Sequence, residues 1–415
     1  MRSNDVTINQ EGRFPDVAFG ETARIDRGMI SLRYGTNPHQ QEAFLEFPEP
    51  SPIKIVNGAP GYINMLDALT SWQLVRELKE ATGKASAASY KHVSPAGAAI
   101  AKPIDDAFKE SQFLKTTDFS PVASAYVRAR GGDRLCSFGD VLAVSDVVDV
   151  SLAQFLKTEV SDLIIAPGYE PEALEILKQK KKGGFCMLEI DYDFMPTGIE
   201  KREIFGVTVA QDSNSRLFTK DDFKNVLSAN KNISKEALDT LLVAAISLKY
   251  TQSNSISIAY DGQIVGMGAG QQSRIHCTRL ACDKADKWFL QRHPKVRGLD
   301  FKDGLKKVEK TNLIDQFLLW DSLSENEEAN MLQNFNTRPE PISRKERAEW
   351  IKQYDDICLG SDAFIPFRDN IDRASRSNVQ HIVETGGSLR SDLIIEAANE
   401  YDMTLTATGI RSFLH

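Results

Sequence analysis

Lys91 and His92 stand side by side in the stretch YKHVSPAGAA, residues 90–99, ahead of a run of Val, Ser, Pro and small side chains. An imidazole, with its ordinary pKa of ~6.5, takes up a proton near neutral pH without large tuning. A neighbouring ammonium disfavours the imidazolium and keeps the ring available as a base. The lysine can itself stabilise an anion that forms during a reaction. Successive strand residues point to opposite faces, so both groups serve one pocket only if the chain kinks there. Pro95, Gly97 and the small residues around them suit such a kink and let a ligand approach the backbone. The plainer alternative is a surface lysine beside a structural histidine.

Other stretches carry weaker chemistry. In LRYGTNPHQ, Arg33 and Tyr34 could hold a phosphate or carboxylate, since guanidinium is a planar fork of donors, and His39 follows an Asn-Pro turn. GMGAGQQSRIHCTRLA holds Gly266, Gly268 and Gly270, but the third glycine falls too early for a dinucleotide fingerprint. What remains is a glycine loop at the start of a helix, a suitable place for an anion, with Arg274 on the first turn and His276 beyond it. YTQSNS puts Thr251, Ser253 and Ser255 on one side of an extended segment and Asn254 on the other. Those oxygens suit either a hard monovalent cation or a satisfied polar strand. GSDAFIPFRDNID sets Phe364 and Phe367 about Pro366, with Asp362, Arg368 and Asp369 nearby; aromatics beside a carboxylate suit a flat heterocycle.

The elements that must position these groups read as an α/β chain. Leu66, Leu69, Val75 and Leu78 recur at helical spacing, with Gly83 as a C-terminal cap, and KASAASY then forms a strand that ends near Lys91. Further strands are expected at Leu163–Ala166 and in GGFCMLEID, ending on Asp191. Residues 195–222 are polar and turn-rich and mark the domain boundary. A helix follows with Ser234 as its N-cap. SISIAYDGQIVGMGAG reads as a hairpin turning at Asp-Gly. Residues 291–350 are charged and helical, and the chain ends in a helix and a strand. No repeat of 20 to 50 residues is visible.

Composition sets outer limits. The 415 residues are 41% hydrophobic and 26% charged, ordinary for a soluble globular protein of two or three units. The net charge of −8 argues against a general nucleic-acid binder. The apolar run at 241–248 is far short of the ~18 residues that span a bilayer, and the first ten residues lack a secretory signal; a cytoplasmic location away from membranes is expected. Five scattered cysteines without C-x-x-C read as buried reduced thiols.

Taken in order, LRYGTNPHQ, VNGAPGYINMLDAL, KHVSPAGAA, ARARGGDRLCSFGD, IIAPGYE, KYTQSNS, GAGQQSRIHCTRLA, SDAFIPFRDNID and the terminal Arg411 closely resemble the aminoimidazole carboxamide ribonucleotide (AICAR) transformylases of purine biosynthesis, from about Leu32 to His415. The resemblance implies transfer of a formyl group from 10-formyltetrahydrofolate, the co-substrate, to the 5-amino group of AICAR. It implies duplicated cytidine-deaminase-like domains, at 29–200 and 201–415, with a helical insertion at about 291–350. It also implies a homodimer with sites at the subunit interface. The deaminase signature H-x-E…P-C-x-x-C is absent, so no zinc is expected. With an N-terminal extension of 28 residues ahead of the matching stretches, transformylase activity alone is expected, without the inosine monophosphate (IMP) cyclohydrolase domain that most members carry, and ring closure is expected from a separate cyclohydrolase.

By the same resemblance His92 is the base, Lys91 stabilises the intermediate, and Asn254 and Arg274 hold the carboxamide and base. Arg33, Tyr34 and Arg411 bind the 5′-phosphate. Asn64, Gly168 and Asp191 lie by the ribose, and Phe364 packs on the nucleotide. Ile275, Asp369, Ser388 and Leu389 match folate positions. A potassium ion of the family would fall near Thr251, Ser253, Ser255 and Asp362. The rival readings are a non-catalytic purine-nucleotide sensor and a zinc nucleoside deaminase.

Overall fold

The computed structural model describes residues 25–26, 29–37, 39–196 and 198–415. Most of the N-terminal extension lies outside them. Three short antiparallel strands, β1 (Ile25–Asp26), β2 (Met29–Ser31) and β3 (Phe44–Glu46), precede β4 (Ile53–Asn57) and α1 (Tyr62–Thr82). The chain continues through β5 (Ser86–Lys91), β6 (Ser94–Ile100), α2 (Asp106–Ser111), α3 (Pro121–Arg130), β7 (Asp140–Val144), α4 (Val150–Thr158), β8 (Ser161–Ala166), α5 (Pro171–Lys178) and β9 (Cys186–Ile190). A separate hairpin, β10 (Ile199–Ile204) and β11 (Val207–Asp212), precedes α6 (Lys235–Lys249), β12 (Ile256–Tyr260), β13 (Gln263–Gly268) and α7 (Arg274–Leu290). Four helices, α8 (Pro294–Arg297), α9 (Lys307–Leu318), α10 (Glu325–Leu332) and α11 (Arg344–Ile351), fill the charged insert. The chain closes with β14 (Cys358–Ser361), α12 (Asp369–Arg376), β15 (His381–Glu384), α13 (Ser391–Glu400) and β16 (Thr404–Ala407).

Eleven strands form one mixed sheet in the order β16-β15-β14-β12-β13-β6-β5-β7-β8-β9-β4. The order shows a repeated arrangement of elements with no residue repeat behind it. Each half runs helix, hairpin, helix, strand, helix, strand, helix, strand. The hairpin β5–β6 borders β7-β8-β9, as β12–β13 borders β14-β15-β16, and each trio is parallel. The halves meet where Gln263 pairs with Ala99 and Ile100 N–H donates to Gly262 O at 3.0 Å. They face each other antiparallel, so their parallel trios point opposite ways.

Both sheet faces are covered. Ala88, Tyr90, Val141, Ala143, Leu163 and Ile165 pack with α1 and α6 on one side, while Ala87, Leu142, Val144 and Ile164 pack with α3 and α4 on the other. Burial on both faces explains why these strands read as continuous apolar runs. The insert has its own core, with Phe317, Leu318 and Met331 at its centre.

Several expectations change. The first helix starts at Tyr62, one turn earlier than the Leu66 periodicity suggested, while Gly83 caps it with φ +69° as expected. Residues 195–222 are not simply turns, because β10 and β11 lie within them. The small residues after His92 do not make room for a ligand: they form β6, buried beneath α3, and a Cβ on Gly97 would stand 2.1 Å from Ala129 O. Gly266 and Gly268 serve the same purpose in β13, where added Cβ atoms would lie 2.1 Å from Ala281 O and 2.3 Å from Cys277 O of α7. These glycines permit close helix–strand packing and do not form an anion loop. All five cysteines are free thiols, four of them buried. No helix of the described residues is long and apolar enough to cross a membrane.

Candidate active site

The chain does turn at the Lys-His pair. His92 and Val93 are the two central residues of the β5–β6 hairpin, with φ +54° and +59°, between the paired residues Lys91 and Ser94. Such turns favour Asn-Gly because both central residues need positive φ. A histidine and a β-branched valine there cost ~1–3 kcal/mol each, strain that characteristically marks functional positions. Val93 N–H donates to Asp67 Oδ1 at 2.6 Å, fastening the turn to α1. Asp67 is 3% exposed, and burial pushes its carboxyl up to about 6 against the opposing pull of Val93 N–H and the charges of His92 and Lys91. The His92 ring is exposed, and no hydrogen bond among the described residues engages it. Lys91 Nζ donates to Gly139 O at 2.8 Å and Phe138 O at 3.1 Å. An ammonium has three N–H groups, so one remains for a ligand.

A buried network joins this hairpin to the segment after α6. Tyr90 OH donates to Tyr250 O at 2.7 Å; Tyr250 OH and Lys249 Nζ donate to Glu77 Oε2 at 2.6 and 2.8 Å. Burial raises both tyrosine pKa values, so both phenols stay protonated donors. The segment ends on a carboxylate hub. Asp362, fully buried, pairs with Arg274 through Oδ1, while Oδ2 accepts from Ser253 Oγ at 2.8 Å and from Ser255 N and Oγ at 2.9 Å each. Arg274 also donates to Asn254 Oδ1 at 2.9 Å and Ser255 O at 3.0 Å. The C-terminal tail beyond β16 is stitched to the same place, with Ser412 N–H on Asp362 O at 2.8 Å and Leu414 N–H on Ser253 Oγ at 3.1 Å. Arg411, exposed, lies 5.0 Å over the Phe413 ring.

The four residues expected near potassium are neighbours, and the protein itself engages their side chains. Thr251 Oγ1 donates to Ser247 O at 2.7 Å, the two serines donate to Asp362, and the carboxylate already faces the Arg274 guanidinium. The guanidinium disfavours a second positive charge beside that carboxylate oxygen.

At the N-terminus of α1, Arg33 donates to Tyr34 OH at 2.7 Å and stacks 4.6 Å above its ring. Tyr62 N–H on Tyr34 O, at 3.1 Å, and Gly61 N–H on Asn64 Oδ1, at 2.9 Å, hold Tyr34 and Asn64 at the helix start. On the other flank, Pro366–Asp369 and Arg390–Ile394 enclose a cleft of about 380 Å³, with Arg390 5.5 Å over Phe367. Asp369 lines this cleft; Ser388 and Leu389 precede its Arg390, whose N–H donates to Ser388 Oγ at 3.2 Å, and Leu389 and Phe364 are exposed. Ile275, half-buried, lies on the first turn of α7; His276 beside it is exposed.

Strand direction decides which of these residues meet. The registers Tyr90↔Val141, Asp140↔Ser161 and Leu163↔Cys186 put Lys91 at the rim where β7, β8 and β9 begin. Pairing of Ile256 with both Gly268 and Ser361 puts Asn254, Arg274 and Asp362 at that same rim, where β14, β15 and β16 end. Gly168 and Asp191 follow the far ends of β8 and β9. They lie at the opposite rim, ~17 Å away along the strands.

Two carboxylates at the Lys91 rim were not singled out from sequence. One is Asp67. The other is Glu384, 3% exposed at the end of β15, which accepts Ile365 N–H at 2.5 Å and so holds the Phe364–Phe367 loop. Burial pushes it up to about 7. Spacing offered a signal only for Asp67, which follows Asn64 by one helical turn.

A mixed α/β sheet with a strained basic hairpin and a buried arginine–carboxylate hub on one rim defines a class of site suited to an anionic, planar ligand. The family model for the AICARFT/IMPCHase bienzyme matches residues 5–284, and the chain belongs to that family of purine-biosynthesis enzymes. The match takes in both hairpins and Arg274 and ends within α7.

Proposed function

We propose that this chain transfers the formyl group of 10-formyltetrahydrofolate to the 5-amino group of AICAR on the route to IMP. The observation that carries the reading is the Lys91–His92 turn: an exposed imidazole and an ammonium with a spare donor, on the rim that also holds Arg33, Tyr34, Asn64, Asn254 and Arg274. The AICAR amine is conjugated with its ring and is a poor nucleophile. His92 accepts its proton as the nitrogen bonds to the formyl carbon, a contribution of ~10²–10⁴ in rate. Lys91 stabilises the oxyanion of the tetrahedral adduct. The adduct collapses as the bond from carbon to folate N10 breaks, and N10 takes up a proton to match the one lost by the amine. Asn254 and Arg274 orient the carboxamide, Arg33, Tyr34 and Arg411 hold the phosphate, and Phe364 packs on the nucleotide. The folate lies in the cleft at Asp369, near Ile275, Ser388 and Leu389.

Gly168 and Asp191 enter this reading through a second copy. One chain keeps them a strand length from His92, so ribose contacts from both residues require a homodimer whose opposite rim completes the site. The test is spectroscopic assay of tetrahydrofolate release from 10-formyltetrahydrofolate plus AICAR. Release dependent on both substrates supports the reading; AICAR binding with no release and no folate-analogue binding would make the chain a nucleotide sensor.

A further inference from the structure

The strained turn beneath the proposed base does not hold itself. His92 and Val93 both sit in the left-handed region that neither side chain favours, and Val93 N–H faces away from the strand ladder toward α1. Its acceptor is a carboxylate that is itself 3% exposed, on a helix of 21 residues whose first turn carries Asn64. We infer that Asp67 is a positioning residue: by accepting the Val93 N–H it fixes the turn that aims His92 and Lys91 at a bound substrate. This inference rests on the formyl-transfer reading for its effect on rate, while its geometry stands alone.

The surroundings give Asp67 little other purpose. The charged groups that act on it are Lys91 and His92. Its carboxylate accepts from the backbone of the turn, from Val93 N–H at 2.6 Å and with a further backbone contact at His92, so a buried carboxylate is spent on holding that turn. Without that carboxylate, an unmet amide beneath the turn would let it relax to a cheaper geometry and swing the imidazole away. Misplacement of a reacting group by ~1 Å costs ~10²-fold in rate.

The experiment compares Asp67→Ala and Asp67→Asn with the wild-type chain, reading kcat, AICAR affinity and hydrogen exchange at the Val93 amide. Asparagine keeps an oxygen for Val93 N–H; alanine does not. The expected result is a loss of ~100-fold in kcat for Asp67→Ala with AICAR affinity within about threefold, and recovery to within ~10-fold of wild type in Asp67→Asn. Val93 exchange should quicken ~10-fold or more in the alanine variant alone. A folded alanine variant with kcat within about threefold of wild type overturns the inference and leaves the formyl-transfer reading intact. If the wild-type chain releases no tetrahydrofolate, that reading fails, and unchanged Val93 exchange in Asp67→Ala overturns the positioning separately. Should the alanine variant not fold, a loss in Asp67→Asn as large as that in His92→Ala overturns it.

Discussion

Asp362→Asn probes the hub that joins Arg274, Asn254 and the C-terminal tail. The wild-type carboxylate is fully buried and accepts four hydrogen bonds, one from Arg274 and three from Ser253 and Ser255. An asparagine oxygen can replace Oδ2 and keep the three serine contacts. Its amide nitrogen then replaces Oδ1 and faces the guanidinium, donor against donor. Arg274, 7% exposed, loses the carboxylate it pairs with, and the neutral acceptors Ser255 O and Asn254 Oδ1 do not hold the guanidinium in place without it. Breaking a buried pair from one side costs ~3–5 kcal/mol. In a chain of this length each kcal/mol moves the thermal midpoint by ~1–2 °C, so calorimetry should show a fall of ~3–10 °C. As Arg274 turns toward solvent it releases Asn254, and AICAR affinity by titration calorimetry should weaken ~10-fold or more, equivalent to ~1.4 kcal/mol. Ser253→Ala, which removes one neutral donor, should cost only ~0.5–1.5 kcal/mol. A midpoint within about 1 °C of wild type for Asp362→Asn, with AICAR affinity unchanged, would refute the reasoning.

Three further outcomes follow from the packing and charge. Glu77→Gln leaves Lys249 buried without its partner and should destabilise by ~3–5 kcal/mol in denaturant titrations; Glu77→Gln with wild-type stability would sink this view of the α1–α6 network. Gly97→Ala forces a Cβ to 2.1 Å from Ala129 O, so α3 must shift, costing ~1–3 kcal/mol or more; a neutral effect would show the helix free to move. Glu384 has a folded pKa raised to about 7, so folding disfavours its ionised form. Its unfolded carboxyl ionises first as pH rises, and stability is lost between ~4.5 and ~7. Glu384→Gln should therefore gain stability over wild type by ~2–3 kcal/mol at pH 8 and by little at pH 5; a gain that does not vary with pH contradicts the assignment.

The sequence disclosed helices and turns where local chemistry specifies them. Gly83, Ser234 and the Asp261–Gly262 turn each act as expected, because caps and tight turns are set by neighbours in the chain. The turn at His92–Val93 has no such signal, since neither residue favours positive φ; Asp67 and the flanking strands impose it from outside. Small residues misled for a related reason. Gly97, Gly266 and Gly268 are small because helices cross them closely, a contact that spacing alone does not distinguish from a ligand's. The repeated topology was expected from the family resemblance alone and not from any residue repeat, because the two halves share strand order and not residues. Of the candidate site, Lys91, His92, Asn254 and Arg274 were legible from type and order. Glu384 was not, as one carboxylate at a strand end carries no motif. The separation of Gly168 and Asp191 from His92 follows from strand direction, which composition does not encode.

The central claim is that the exposed His92 imidazole removes the amine proton during formyl transfer. The direct measurement is tetrahydrofolate release by the wild-type chain and by His92→Ala, beside AICAR binding to both. If His92 is that base, wild-type release needs both substrates, AICAR binding is unchanged in His92→Ala, and turnover falls by at least ~100-fold. Turnover within a few-fold of wild type in the alanine variant would contradict it.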